Sequence, residues 1–205
     1  AAWKYIWFST GSSQDPQETT GSTTVQWKID STDGTYYSRN GNIHLEGPDP
    51  LSNTVVNHEY GHNIMYNVYG DADYDERREP CDPDLPHTFW DLGNDGCAWN
   101  EGWATFLALA TFNTSSDRSV DFEAPTYGYS NPVTWQNGNT VIGRVTGALW
   151  DMYDSARDGS DEYAVTFAAM WYTYDWYHAH NINDFYANWV TIGYPKLGPA
   201  MSIYQ

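Results

Sequence analysis

Ser52-Asn53-Thr54-Val55-Val56-Asn57-His58-Glu59-Tyr60-Gly61-His62-Asn63-Ile64-Met65-Tyr66-Asn67-Val68-Tyr69-Gly70 is the stretch from which the rest of the chain is best read. Ser52 offers an N-cap, Val55, Val56, Met65, Tyr66 and Val68 supply apolar positions, and Gly70 offers a stop, so the spacing predicts a helix over about 52–70. His58 and His62 then fall one turn apart on a single face. Two imidazoles so placed can point at one metal ion. Glu59, next to the first of them, projects beside that ion, where it can take a proton from a water.

A mononuclear zinc site with catalytic capacity needs a third protein ligand and one open position. In the pattern H-E-x-x-H-x-x-G-x-x-H the third ligand is a histidine six residues after the second, but that position is Val68 and the glycine position is Met65. A carboxylate must therefore come from elsewhere. Glu101, in Asn100-Glu101-Gly102-Trp103-Ala104, opens an otherwise uncharged apolar helix, and a carboxylate on a buried helix needs a cation. Gly102 beside it would allow close packing against the first helix. Glu76, Glu79, Asp82 and Asp84 compete for the role but sit in an acidic loop and read as solvated charges or calcium ligands.

HEYGH followed by NEGWATF resembles the gluzincin metallopeptidases, and the fungalysin pattern in particular, with Ile142-Gly143-Arg144-Val145 and Leu149-Trp150-Asp151 similar to that family's next helix. The resemblance covers about residues 52–155 as three blocks. It implies a zinc endopeptidase in which His58, His62 and Glu101 hold one zinc per chain and Glu59 is the general base. Three departures stand out. The gap from His62 to Glu101 is 39 positions, longer than usual. The family's aspartate four residues after the ligand glutamate is Thr105, which removes the expected partner of a zinc histidine. The family's oxyanion-steadying histidine aligns with Thr140, so that role must pass to another group. Arg144 is the first candidate, with a structural salt bridge to Asp151 or Glu101 as the other reading; His178, His180 and Tyr153 follow. His44 lies in the strand ahead of the zinc helix, whose counterpart in gluzincins binds substrate through its main chain.

Composition narrows the partners. The chain has 205 residues with 27 Asp+Glu against 9 Lys+Arg, a formal charge of −18. So few cations argue against nucleic acid and against anionic membranes as partners. With 17 Tyr, 11 Trp and 7 Phe, intrinsic disorder is excluded. Cys81 and Cys97 sit 16 positions apart and read as a disulfide, which implies an oxidising compartment and hence a secreted protein. The first methionine is Met65, so the expectation is a processed chain, with a propeptide removed on maturation. Asp91-Leu92-Gly93-Asn94-Asp95-Gly96 has the oxygen ligands and glycines of a calcium loop, without EF-hand spacing.

Residues 1 to about 48 read as strands: Trp3–Phe8, Val25–Ile29, Thr35–Ser38 and Asn42–Glu46, punctuated by Gly34 and Gly41. Residues 71–97 read as a long loop. Helices are expected over about 98–112, 140–155, 161–174 and 182–191. Strands first and helices later predict an α+β fold, a two-lobed zincin-type domain. Residues 1–113 would carry the sheet, the zinc helix and the glutamate helix, and 114–205 a helical lobe. The expectation is a secreted zinc endopeptidase acting on peptides or proteins. The competing readings are a zinc-containing adhesion or glycan/protein-binding module, and a peptidase restricted to glycosylated substrates.

Overall fold

The computed structural model describes residues 5–6, 9, 23–39, 41–77, 81, 88–90, 92–117, 120–122, 126–127, 136, 138–155 and 164–194. In chain order these form β1 (Thr24–Trp27), β2 (Tyr36–Ser38), β3 (Asn42–Leu45), a short 3₁₀ turn (Asp49–Leu51), α1 (Asn53–Arg77), α2 (Asp95–Phe112), β4 (Ser116–Asp117), β5 (Val120–Asp121), β6 (Thr126–Tyr127), α3 (Ile142–Tyr153), α4 (Phe167–Tyr177) and α5 (Ile182–Ile192).

The first sheet has the order β1-β3-β2, with β3 parallel to β1 and antiparallel to β2. Ile43 and Leu45 point from its middle strand into the core, where Tyr37 meets Tyr66 of α1. The start of β2 is pinned twice. The Thr35 hydroxyl donates to Asp49 Oδ2 at 2.5 Å, and the Glu46 N–H donates to Thr35 Oγ1 at 2.8 Å. The second sheet, β4-β5-β6, is a small meander. It is tied to the start of α1, where the Thr54 hydroxyl donates to Asp117 Oδ1 at 2.5 Å.

Helix α2 is the axis of the molecule. It is buried nearly all round, as a helix apolar on every side must be. Asn94 caps its start by accepting the Cys97 N–H at 2.5 Å, and Asn113 closes its end in the left-handed region at φ 51°. Two glycines let its neighbours come close. A Cβ on Gly61 of α1 would stand 2.9 Å from Ala104 Cα, and one on Gly102 would stand 2.7 Å from Val145 Cγ1. The close approach of α1 to α2 is therefore made by the glycine of HEYGH. Gly102 serves the contact with α3, not the contact with α1 that its position beside Glu101 suggests. On the far side of α2, Trp103 lies flat on Tyr174 of α4 with centroids 3.9 Å apart, and Trp99 packs on Phe185 of α5 at 5.3 Å.

This architecture corrects the two-lobed α+β expectation. The described chain is mostly helical with two small sheets, and one continuous core runs from Ile6 and Ile64 through Trp103 to Trp189. Aromatic side chains from both halves are buried together, so among the described residues the later helices share the core of the earlier ones. Tyr5 and Ile6 are helical, not extended; the rest of the expected Trp3–Phe8 strand lies outside the described residues. Gly70, read as a stop, is a break at φ 72° after which the chain turns helical again to Arg77. The loop expected over 71–97 is therefore helical at both ends.

Candidate metal centre

The contact between α1 and α2 brings the two sequence motifs together. His58, Glu59 and His62 sit on α1, and Glu101 sits on the facing side of α2. His58 Nε2 lies 3.1 Å from His62 Nε2, and the two are 3.2 Å and 3.4 Å from Glu101 Oε2. Among the described residues these three form the group of His, Cys, Asp and Glu side chains able to share a metal ion. Two donors of a tetrahedral shell with bonds of about 2.0–2.1 Å lie about 3.3 Å apart, so the three observed edges fit one small tetrahedral cation.

The outer ring nitrogens fix how the imidazoles point. Asn100 Oδ1 faces His62 Nδ1 at 3.2 Å, and Thr105 Oγ1 faces His58 Nδ1 at 3.1 Å. An amide oxygen only accepts, so His62 carries its hydrogen on Nδ1 and turns Nε2 toward the donor triangle. Thr105 fills the position where the resembling family has an aspartate, and its hydroxyl makes the contact that the substitution puts in doubt. Thr105 is four residues after Glu101 and Asn100 is one before it. The signal in the sequence is thus a hydroxyl on the glutamate's own helix face, with an amide adjoining.

Two nitrogen lone pairs aimed at each other beside a carboxylate call for a positive charge between them. Without a metal, protons supply it. Burial acts against charge on His62, but the Glu101 carboxylate and its hydrogen bond outweigh this and push His62 up to about 9. Burial likewise acts to raise Glu101, and the two histidines overcome it, holding its carboxyl well below the usual range. Cys81 and Cys97 are joined by a disulfide. Cys97 sits one turn before Glu101 on α2, and Cys81 Sγ lies 3.9 Å from Glu101 Oε1, so the crosslink walls off the carboxylate.

A pocket of about 180 Å³ opens on the triangle, lined by Thr35, Tyr36, Tyr37, His58, Glu59, His62, Tyr74, Asn100 and Glu101. Glu59 is 7% exposed and beside the donors without being one of them. Tyr74, absent from the sequence reading, enters because the break at Gly70 returns the chain to the site. The pocket's lining does not include Arg144, whose Nε donates to the Gln136 main-chain oxygen at 3.0 Å. His44 is in β3, whose main chain is paired on both sides, and its ring stacks on Tyr36 at 4.4 Å. His178 stacks on Tyr69, and Tyr153 packs on Phe106. Asn94 of the candidate calcium loop is the cap of α2; Asp91, Glu79, Asp82 and Asp84 lie outside the described residues, as does the side chain of Glu76.

One family model matches the chain. The sequence model of the family described as the Mycolysin C-terminal domain matches residues 8–197, which is nearly the whole chain and includes HEYGH and Glu101. The chain belongs to this family. Membership sets the protein in the context of mycolysin-type peptidases, and the match to a C-terminal domain overturns the two-lobed zincin-type fold expected from the sequence. No curated protein matches this mycolysin-family chain.

Proposed function

We propose that this mycolysin-family chain is a secreted, zinc-dependent endopeptidase of gluzincin type. His58, His62 and Glu101 hold one zinc ion and Glu59 is the general base. The observation that carries the reading is the triangle of Nε2, Nε2 and Oε2 atoms, with edges of 3.1, 3.2 and 3.4 Å, and a buried glutamate beside it in one pocket. When bound, zinc supplies Lewis-acid polarisation of a carbonyl and brings the pKa of a water down toward about 7.

The chain's own residues do the rest. Asn100 holds His62 with its hydrogen on Nδ1, and Thr105 hydrogen-bonds the outer nitrogen of His58 and orients its ring. Glu59, drawn into the pocket wall, accepts a proton from the attacking water and delivers it to the leaving amine nitrogen. Tyr74 is a pocket residue with an O–H donor, and it replaces Arg144 as the candidate to steady the developing oxyanion. Among the described residues no strand pairs with the outer edge of β2, which borders the pocket, so β2 and not the doubly paired β3 of His44 offers its main chain to a peptide. Peptides or proteins are the partners; the charge of −18 disfavours nucleic acid and anionic membranes. The disulfide supports an extracellular setting, and no described helix is long and apolar enough to cross a membrane.

One observation favours a second reading. The matching family is a C-terminal domain, and such a domain could hold zinc as a binding module. The Glu59→Gln variant separates the two. On the peptidase reading it keeps about one zinc per chain and loses about 10²–10⁴-fold in peptide hydrolysis. A zinc-loaded wild type that cleaves nothing in a broad peptide library would leave the binding module standing.

A further inference from the structure

The side chains of Gln26, His44 and Tyr36 lie in one row across the first sheet, since Gln26 pairs with His44 and His44 pairs with Tyr36. The last two rings are stacked, 4.4 Å between centroids and 15° apart in plane. Tyr36 remains 42% exposed, and it is both the end of the row and part of the metal pocket. The two hydrogen bonds of Thr35 hold the strand immediately before it, so the ring is presented in a fixed place.

We infer that Tyr36 is a specificity-determining residue that favours an aromatic side chain at one position of the substrate. This rests on the reading that a peptide lies along the outer edge of β2. A strand added there puts one residue opposite Tyr36, with Cβ atoms about 4.5–5.5 Å apart, and its side chain extends the row begun by His44. Aromatic cross-strand pairs are favourable by an amount that corresponds to about two- to five-fold in affinity over alanine. The faces of a strand alternate, so the substrate residues on either side of that position point away from Tyr36 and carry no such preference. An acidic residue gains nothing there, next to Glu59 and in a chain of charge −18.

The test uses zinc-loaded protein and peptides varied at one position at a time, with two readouts. One is hydrolysis by the wild type, resolved into kcat and KM. The other is equilibrium binding to the uncleaving Glu59→Gln protein. The expected result is a two- to five-fold preference for Phe or Tyr over Ala at a single position, carried by KM and by binding. Tyr36→Phe should keep it and Tyr36→Ala should lose it, with zinc content unchanged in both. A preference that survives Tyr36→Ala, or one that favours Lys, Arg, Asp or Glu at that position, would overturn the assignment. Binding with the aromatic preference but no hydrolysis by wild type would uphold Tyr36 and defeat the peptidase reading. No peptide binding at all would overturn both.

Discussion

Helix α2 presents two buried faces of opposite character. Toward α1 it carries Asn100, Glu101 and Thr105, around the point where Ala104 meets Gly61. Toward α4 and α5 it carries Trp99, Trp103 and Phe106. The aromatic face gains its stability from area: Trp103 is fully buried against Tyr174, and the Trp99 N–H donates to the Tyr69 hydroxyl at 3.1 Å. The polar face gains little by burial, because ions taken out of water are at best repaid by their partners. Every polar atom of the triangle has a named partner instead. One face therefore holds the helix in place, and the other uses that placement to set three donors 3.1–3.4 Å apart.

The contrast can be broken by exchanging effects between the faces. Trp103→Ala should cost about 3–5 kcal/mol of stability, read from urea unfolding, while protein that remains folded still binds one zinc. Thr105→Val keeps the side-chain shape and removes the partner of His58 Nδ1. It should cost only about 1 kcal/mol of stability and weaken zinc binding by about 10–100-fold, measured by competition with a chelator. A tryptophan variant that folds normally but loses zinc, or a threonine variant that unfolds without a change in affinity, would erase the distinction between the faces.

The pH dependence sharpens it, with a smaller effect. In the metal-free protein, His62 is raised from 6.5 to about 9, so its contribution to stability is complete below 6.5 and fades as pH rises through about 9. Glu101 is lowered, so its contribution is present above the ordinary carboxylate pKa of 4.5 and fades as pH falls through its depressed value. The pair therefore stabilises most between about 4.5 and 6.5. Zinc must displace the proton from His62, so affinity should rise about tenfold per pH unit up to about 9, a slope that Glu101→Gln should flatten.

The sequence was most legible where chemistry demands a fixed spacing along one helix. His58 and His62 are such a pair, and Glu101 stood out as a lone charge on an apolar helix, although it is 39 residues away. The alternation at Val25–Ile29 and the segments Thr35–Ser38 and Asn42–Glu46 overlap the observed β1, β2 and β3 strands at 24–27, 36–38 and 42–45, whereas the helix expected over about 161–174 is found at Phe167–Tyr177. What a linear pattern could not show were contacts made across elements. Thr105 and Asn100 as histidine partners, Tyr74 brought back by the Gly70 break, and Gly102 turned to Val145 all depend on how helices cross. The two-lobed expectation failed for the same reason. Strands-then-helices order says nothing of whether the later helices share a core with the earlier ones, and here Tyr174 and Phe185 pack directly on Trp103.

The most direct test of the metal centre is anomalous diffraction at the zinc edge from crystals loaded with one equivalent of zinc. A single strong peak bonded to His58 Nε2, His62 Nε2 and Glu101 Oε2, each at about 2.0–2.2 Å, is the predicted result. A peak at other side chains, or none between α1 and α2 in fully loaded protein, would contradict it.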